Sequence, residues 1–268
     1  MIKHIQFKNT PVRFSDTGKG RAIVLLHGFP ETLDAWNAFT PALAKHFRVI
    51  AIDFPGHGET PSIGYIHTME LFAECVKTVM DSLGLRRYLI AGHSMGGYAA
   101  LAFADKYRGR LCGLCLFHST ALSESSEKKR EREKVIEIVK KDPRHYISDA
   151  ITSLFAPENV IKFGSEINEL KERAFRISSL AIINAQEGMK ERPPYEGLLT
   201  TLDIPVLFIA GRKDRVIPYE SVLKQADTCR HPTVLLLENS AHMGFLEEKE
   251  LCQKTLTRFA RKCFRSKS

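Results

Sequence analysis

Gly92-His93-Ser94-Met95-Gly96 is the stretch whose reading decides the fold. It lies between Tyr88 to Ala91, a short apolar run that reads as a strand, and Met95 to Tyr107, an Ala-rich segment that reads as a helix. A chain that turns from strand to helix at one residue forces that residue, Ser94, into a strained conformation, and the flanking glycines leave room for neighbouring backbone. The hydroxyl then stands exposed at the end of the strand. Taken alone, the pentapeptide is also compatible with a serine helix cap between chance glycines. The strand-turn-helix setting is what favours a nucleophile.

Outward from this elbow, short apolar runs alternate with helical patterns, which argues for an α/β fold with a mostly parallel sheet and crossover helices. Ile5 to Phe7 and Val12 to Ser15 read as an opening hairpin around the turn-prone Asn9, Thr10 and Pro11. Ala22 to His27 and Arg48 to Ile52 read as strands. Leu33 to His46 reads as one helix, because Leu33, Trp36, Leu43 and Phe47 recur near helical spacing. Met69 to Leu83 is an amphipathic helix ended by Gly84, and Leu111 to Phe117 is the strand after the elbow helix. From Ser119 to Leu199 the alternation gives way to charged helical patterning broken at Pro143, Pro157 and the Pro193-Pro194 pair. Strands resume at Pro205 to Ala210 and Thr233 to Leu237, with helices at Tyr219 to Ala226 and Phe245 to Phe264. The expected division is a core domain of residues 1–118 and 200–268 with a helical insertion, a cap, at 119–199.

Two segments after the insertion supply what a serine nucleophile needs, a base and a carboxylate to orient it. Asp214 follows the strand ending at Ala210, and His242 follows the strand ending at Leu237. In a parallel sheet all strand C-termini share one edge, so Ser94, Asp214 and His242 emerge on the same side. Backbone N–H groups of Phe29, in His27-Gly28-Phe29-Pro30, and of Met95 are the candidate oxyanion donors. His27 and His93 read as residues that shape their loops. Asp53-Phe54-Pro55-Gly56-His57-Gly58 reads as a tight scaffold turn.

At these residues the sequence resembles the α/β-hydrolase fold family, in particular single-domain serine hydrolases with an H-G-F-P loop, a D-x-P-G-H-G turn, a G-H-S-M-G elbow and a helical cap. The resemblance runs from His4 to Phe259. It implies an eight-stranded, mostly parallel sheet, a cap between the sixth and seventh strands, and a triad at Ser94, Asp214 and His242. Dehalogenases and epoxide hydrolases of this fold place a carboxylate at the elbow; Ser94 excludes that chemistry here.

Composition narrows the class further. The 268 residues are 44% hydrophobic and 26% charged, with a formal net charge of +8, values of a globular chain. Arg258, Arg261, Lys262, Arg265 and Lys267 carry five of the positive charges; without them 34 basic residues face 31 acidic ones, a balance of +3. That run reads as a solvated terminus, so no nucleic-acid partner and no membrane insertion are expected. Glu127 to Lys134 reads as an exposed helix start. Met1 to Asn9 lacks the apolar region of a secretory signal, and a cytoplasmic location is expected. Six cysteines in such a chain do not read as a disulfide framework. Cys112 and Cys115 fall on a buried strand and are expected on opposite faces; Cys263 is expected to be the exposed thiol. No metal-ligand motif or nucleotide loop occurs, and no cofactor is expected.

The leading expectation is therefore hydrolysis of small to medium carboxylic esters, lactones or thioesters through an acyl-enzyme on Ser94, by a monomer or homodimer. A carbon–carbon bond hydrolase or enol-lactonase uses the same residues and stays open, as does a small-molecule receptor that keeps the triad. Leu154, Phe155, Ile161 and Phe163 are candidates for an apolar substrate wall, with Phe155 and Phe163 foremost; core of the cap is the competing reading. Glu124 is the next candidate for the acid after Asp214.

Overall fold

The computed structural model describes residues 1–265; Lys267 of the basic run lies outside them. Strands β1 (Ile2–Phe7) and β2 (Thr10–Thr17) form the opening hairpin. Its two-residue turn is Lys8-Asn9, at φ 48° and 62°, the positive values that match a turn to the twist of its strands. The remaining strands are β3 (Ala22–Leu26), β4 (Arg48–Ile52), β5 (Tyr88–His93), β6 (Leu111–Phe117), β7 (Val206–Gly211) and β8 (Pro232–Leu237). Together they form one eight-stranded sheet in the order β1-β2-β4-β3-β5-β6-β7-β8. β2 runs antiparallel to both neighbours, and every pairing from β4 to β8 is parallel.

The sheet is covered on both faces, which is why β3, β5, β6 and β7 are buried throughout rather than alternating. Val24 and Leu26 pack beneath α2 (Met69–Ser82), α3 (Met95–Tyr107) and α9 (Tyr219–Thr228), whereas Ile23 and Leu25 face α1 (Thr40–Ala44) and α11 (Lys249–Arg265). A short α10 (Gly244–Glu247) precedes α11. Between β6 and β7 lie α4 (Ser126–Lys141), α5 (Pro143–Ser153), α6 (Gly164–Ala174), α7 (Ser179–Glu191) and α8 (Glu196–Thr201). Pro143 opens α5 at its first turn, and Asp142 caps it by accepting from the His145 N–H at 3.0 Å.

Three local expectations are corrected. Leu33 to His46 is not one helix: a 3₁₀ turn at Leu33–Trp36 is followed by α1, with Pro41 in its first turn. Leu33, Trp36, Leu43 and Phe47 still share one core, so the apolar period was real and the continuity was not. Cys112 and Cys115 lie on the same face, not opposite ones. The cause is a bulge, since Tyr88 pairs with Leu111 but Leu89 pairs with Gly113, leaving Cys112 unopposed. Cys263 is buried at 2% exposure because it sits on the face of α11 turned toward the sheet, against Gly113. All six cysteines are free and buried.

Candidate active site

The elbow stands where the sequence puts it. Ser94 has φ 49° and ψ −116°, a region that L-residues rarely adopt, directly between β5 and α3. The turn is tight enough that a Cβ on Gly92 would lie 2.2 Å from the Gly96 carbonyl oxygen, and one on Gly96 2.4 Å from that of Leu26. The Ser94 carbonyl is held by the Ser119 hydroxyl at 2.8 Å. Met95, as the first residue of α3, has no helical partner for its N–H.

On the same sheet edge, His242 Nδ1 donates to Asp214 Oδ2 at 2.8 Å. That assignment leaves Nε2 as the acceptor, the form a general base requires. Asp214 Oδ1 accepts from the N–H groups of Val216 and Ile217 at 2.8 and 2.9 Å. Burial alone would raise the Asp214 pKa, but His242 and His118 outweigh it and hold the carboxylate well below its ordinary range.

A residue that sequence reasoning assigned no role, His118, completes this network. Its Nδ1 lies 3.1 Å from Asp214 Oδ2, and its Nε2 accepts the Gly244 N–H at 3.2 Å. The acceptor role at Nε2 fixes the proton on Nδ1, so His118 is a neutral donor to Asp214. Burial pushes its pKa down to about 4, against the pull of Asp214. Its position immediately after β6, on the shared C-terminal edge, was the available signal. His118, Asp214 and His242 bring three potential metal-ligating atoms within 4.8 Å. Both Nδ1 atoms carry protons directed at the carboxylate, however, so the set is matched as donors and acceptor rather than as lone pairs around a cation.

The Phe29 amide is oriented by its own loop. The carbonyl of the Gly28–Phe29 peptide accepts from His27 Nδ1 at 2.8 Å and from the Glu31 N–H at 3.2 Å. His27 Nε2 in turn accepts the Phe54 N–H at 3.1 Å, which fixes the tautomer. Because a trans peptide points N–H and C=O in opposite directions, pinning this carbonyl aims the Phe29 N–H. Asp53 accepts from the Leu33 N–H at 2.7 Å and from Arg13 at 3.0 Å, so its turn is scaffold beneath the loop.

Ser94 and His242 line one cleft of about 320 Å³ together with Phe29, Tyr98, Leu154, Met189 and Val216. No hydrogen bond joins Ser94 Oγ to His242 among the described residues; such links commonly tighten only with substrate. The helical insertion reaches His242 directly, since the Leu154 carbonyl accepts the His242 N–H at 2.8 Å. Tyr98, Lys128, Arg132 and Val216 also border a second chamber of about 220 Å³. Glu124 lines that chamber, paired with Arg132 at 2.8 Å and with Arg192, so it is not beside His242.

The foremost wall candidates are corrected. Phe155 is buried in the cap and faces Phe163 at 6.1 Å between ring centres, and neither lines the cleft. Ile161 is 95% exposed. Of the four, Leu154 alone lines the cleft. Phe155, its sequence neighbour just past α5, turns inward into the core that also holds Ile151 and Ile167.

Residues 21–157 match the model of the alpha/beta hydrolase fold, and the chain belongs to that family. It is 30% identical to a thermophilic esterase from Thermogutta terrifontis, solved with malate bound, covering 98% of this chain and 99% of that one with a TM-score of 0.92. It is 30% identical over 252 residues to the dihydrolipoyllysine-residue acetyltransferase component of the acetoin cleaving system of Pseudomonas putida, spanning 91% of this chain but 64% of that protein. It is 28% identical to a 2-hydroxy-6-oxononadienedioate/2-hydroxy-6-oxononatrienedioate hydrolase of Burkholderia vietnamiensis, over 94% of this chain and 91% of that one.

Proposed function

We propose that this α/β-fold hydrolase cleaves carboxylic esters of small to medium size through an acyl-enzyme on Ser94. The observation that carries the reading is the ionised Asp214 on His242 Nδ1, at 2.8 Å, in the cleft that Ser94 also lines. His242 Nε2 takes the Ser94 proton as Oγ attacks the ester carbonyl, and Asp214 stabilises the imidazolium without itself being protonated. The N–H groups of Phe29 and Met95 receive the oxyanion. His242 returns the proton to the leaving alcohol, then activates the water that releases the acid. The likeness to the Thermogutta esterase supports the same reaction class.

A second reading, hydrolysis of a carbon–carbon bond beside a carbonyl, draws support from the Burkholderia relative. It uses the same residues and differs in its leaving group, a carbanion equivalent that must be protonated. Incubation with a series of p-nitrophenyl esters of rising acyl length, beside a vinylogous diketone acid, separates them. Ester turnover with stoichiometric fluorophosphonate labelling of Ser94 supports the first reading. Diketone cleavage with negligible ester turnover replaces it with the second.

A further inference from the structure

His93 precedes the elbow serine and is fully buried, boxed by the edges of Trp36, Phe117 and Phe245 at 6.5, 6.3 and 5.0 Å between ring centres. Its Nε2 lies 2.8 Å from the carbonyl oxygen of His242, and its Nδ1 lies 3.0 and 3.2 Å from the two carboxylate oxygens of Glu31. Glu31 is 3% exposed and also accepts the Gly28 N–H at 2.8 Å. Gly28 is required there, because a Cβ on it would lie 2.6 Å from His93 Nδ1.

The hydrogen inventory of this arrangement is constrained. A peptide carbonyl only accepts, so Nε2 carries a proton. An ionised carboxylate also only accepts, so a contact at Nδ1 requires a further proton shared by His93 and Glu31. The pair is neutral as a whole, which makes its burial tolerable. Burial disfavours charge on His93, yet Glu31 beside it keeps the imidazole pKa above its ordinary value; Glu31, which burial would raise, is held low by His93.

We propose that the proton-sharing pair His93–Glu31 is a positioning clasp that locks the oxyanion loop, the nucleophile elbow and the His242 loop into one unit. His93 is covalently next to Ser94, Glu31 grips the loop that presents the Phe29 N–H, and Nε2 anchors the backbone of the base. Neither residue lines the cleft. The role rests on the serine-hydrolase reading for its effect on rate, while the clasp itself is tested apart from it.

Glu31→Ala breaks the grip on both Gly28 and His93. Its turnover of a p-nitrophenyl ester should fall by about tenfold or more at a KM within about twofold, since misplaced donors cost transition-state rather than ground-state binding. Glu31→Gln restores one acceptor for Gly28 and one donor for a now neutral His93, and should recover turnover to within about threefold. Nitrogen-15 and proton NMR of the histidine rings gives the independent readout. His93 should show both ring N–H groups in the parent and in His242→Ala, and only Nε2–H in Glu31→Gln. A neutral His93 with bare Nδ1 in the parent overturns the clasp. So does parental turnover in folded Glu31→Ala, or a rate loss that Glu31→Gln does not recover. Should no ester be turned over, NMR still decides the clasp, and fluorophosphonate labelling decides the reading of Ser94.

Discussion

His118 and His242 share one acceptor, Asp214 Oδ2, at 3.1 and 2.8 Å. Two imidazoles on one oxygen, with two backbone N–H groups on the other, leave Asp214 no free lone pair with which to take the proton of His242. Removing His118 deletes a hydrogen bond to a buried carboxylate and orphans the Gly244 N–H. His118→Ala should therefore cost about 2 kcal/mol of stability, read as a lower denaturant midpoint. An unchanged midpoint would show that the bond contributes nothing.

Asp214→Asn should lower turnover by about 10⁴-fold with KM near the parental value, the scale seen when a triad's orienting acid is neutralised. Glu124 does not compensate, because it is committed to Arg132 and Arg192 in the neighbouring chamber. Near-normal kcat in the variant would place the acid elsewhere.

Ser94 stores backbone strain at φ 49°. Ser94→Ala keeps that strain, so it should fold with an unchanged Tm while losing all fluorophosphonate labelling. Ser94→Gly relieves the strain and should gain about 1 kcal/mol, raising Tm by about 2–4 °C. Equal melting temperatures for the alanine and glycine variants would show that the elbow is unstrained.

Selectivity should respond to Leu154 and not to Phe155. Leu154→Ala opens the cleft and should change relative kcat/KM along the acetyl to octanoyl series by about 10-fold or more. Phe155→Ala leaves a cavity in the cap, costing about 3–5 kcal/mol, and its chain-length profile should remain parental. A shifted profile in Phe155→Ala would return that residue to the substrate wall.

Acid should destabilise the fold through its buried histidines. His67 and His118 are buried, and burial lowers both pKa values to about 4. Their folded values lie below the unfolded value of about 6.5. The unfolded chain therefore binds more protons between about pH 6.5 and 4, and stability falls as pH drops through that window, by up to about 1.4 kcal/mol per pH unit for each group. Denaturant midpoints measured from pH 7 to 4 check this, and His67→Leu should flatten the slope. A parental slope in that variant would remove His67 from the account.

The convergence of Ser94, Asp214 and His242 on one sheet edge was legible because each sits one to a few positions past an apolar strand, and parallel strands bring such positions to one edge regardless of what covers the sheet. Ser94, Asp214, His242 and the Phe29 loop needed no knowledge of packing beyond that rule. Strand and helix periods were likewise local: β4, β6 and α3 have the bounds their patterns mark. Periodicity states which residues share a face and is silent on which neighbour meets that face. The burial of Cys263, the bulge that swings Cys112 round to Cys115's side, the break before Pro41 and the inward turn of Phe155 all depended on partners remote in the chain. So did His118 beside Asp214, 96 positions away, and Glu31 beside His93, 62 positions away. A histidine's hydrogen-bond partners settle its tautomer and charge, and only the packed structure brings those partners within hydrogen-bonding distance.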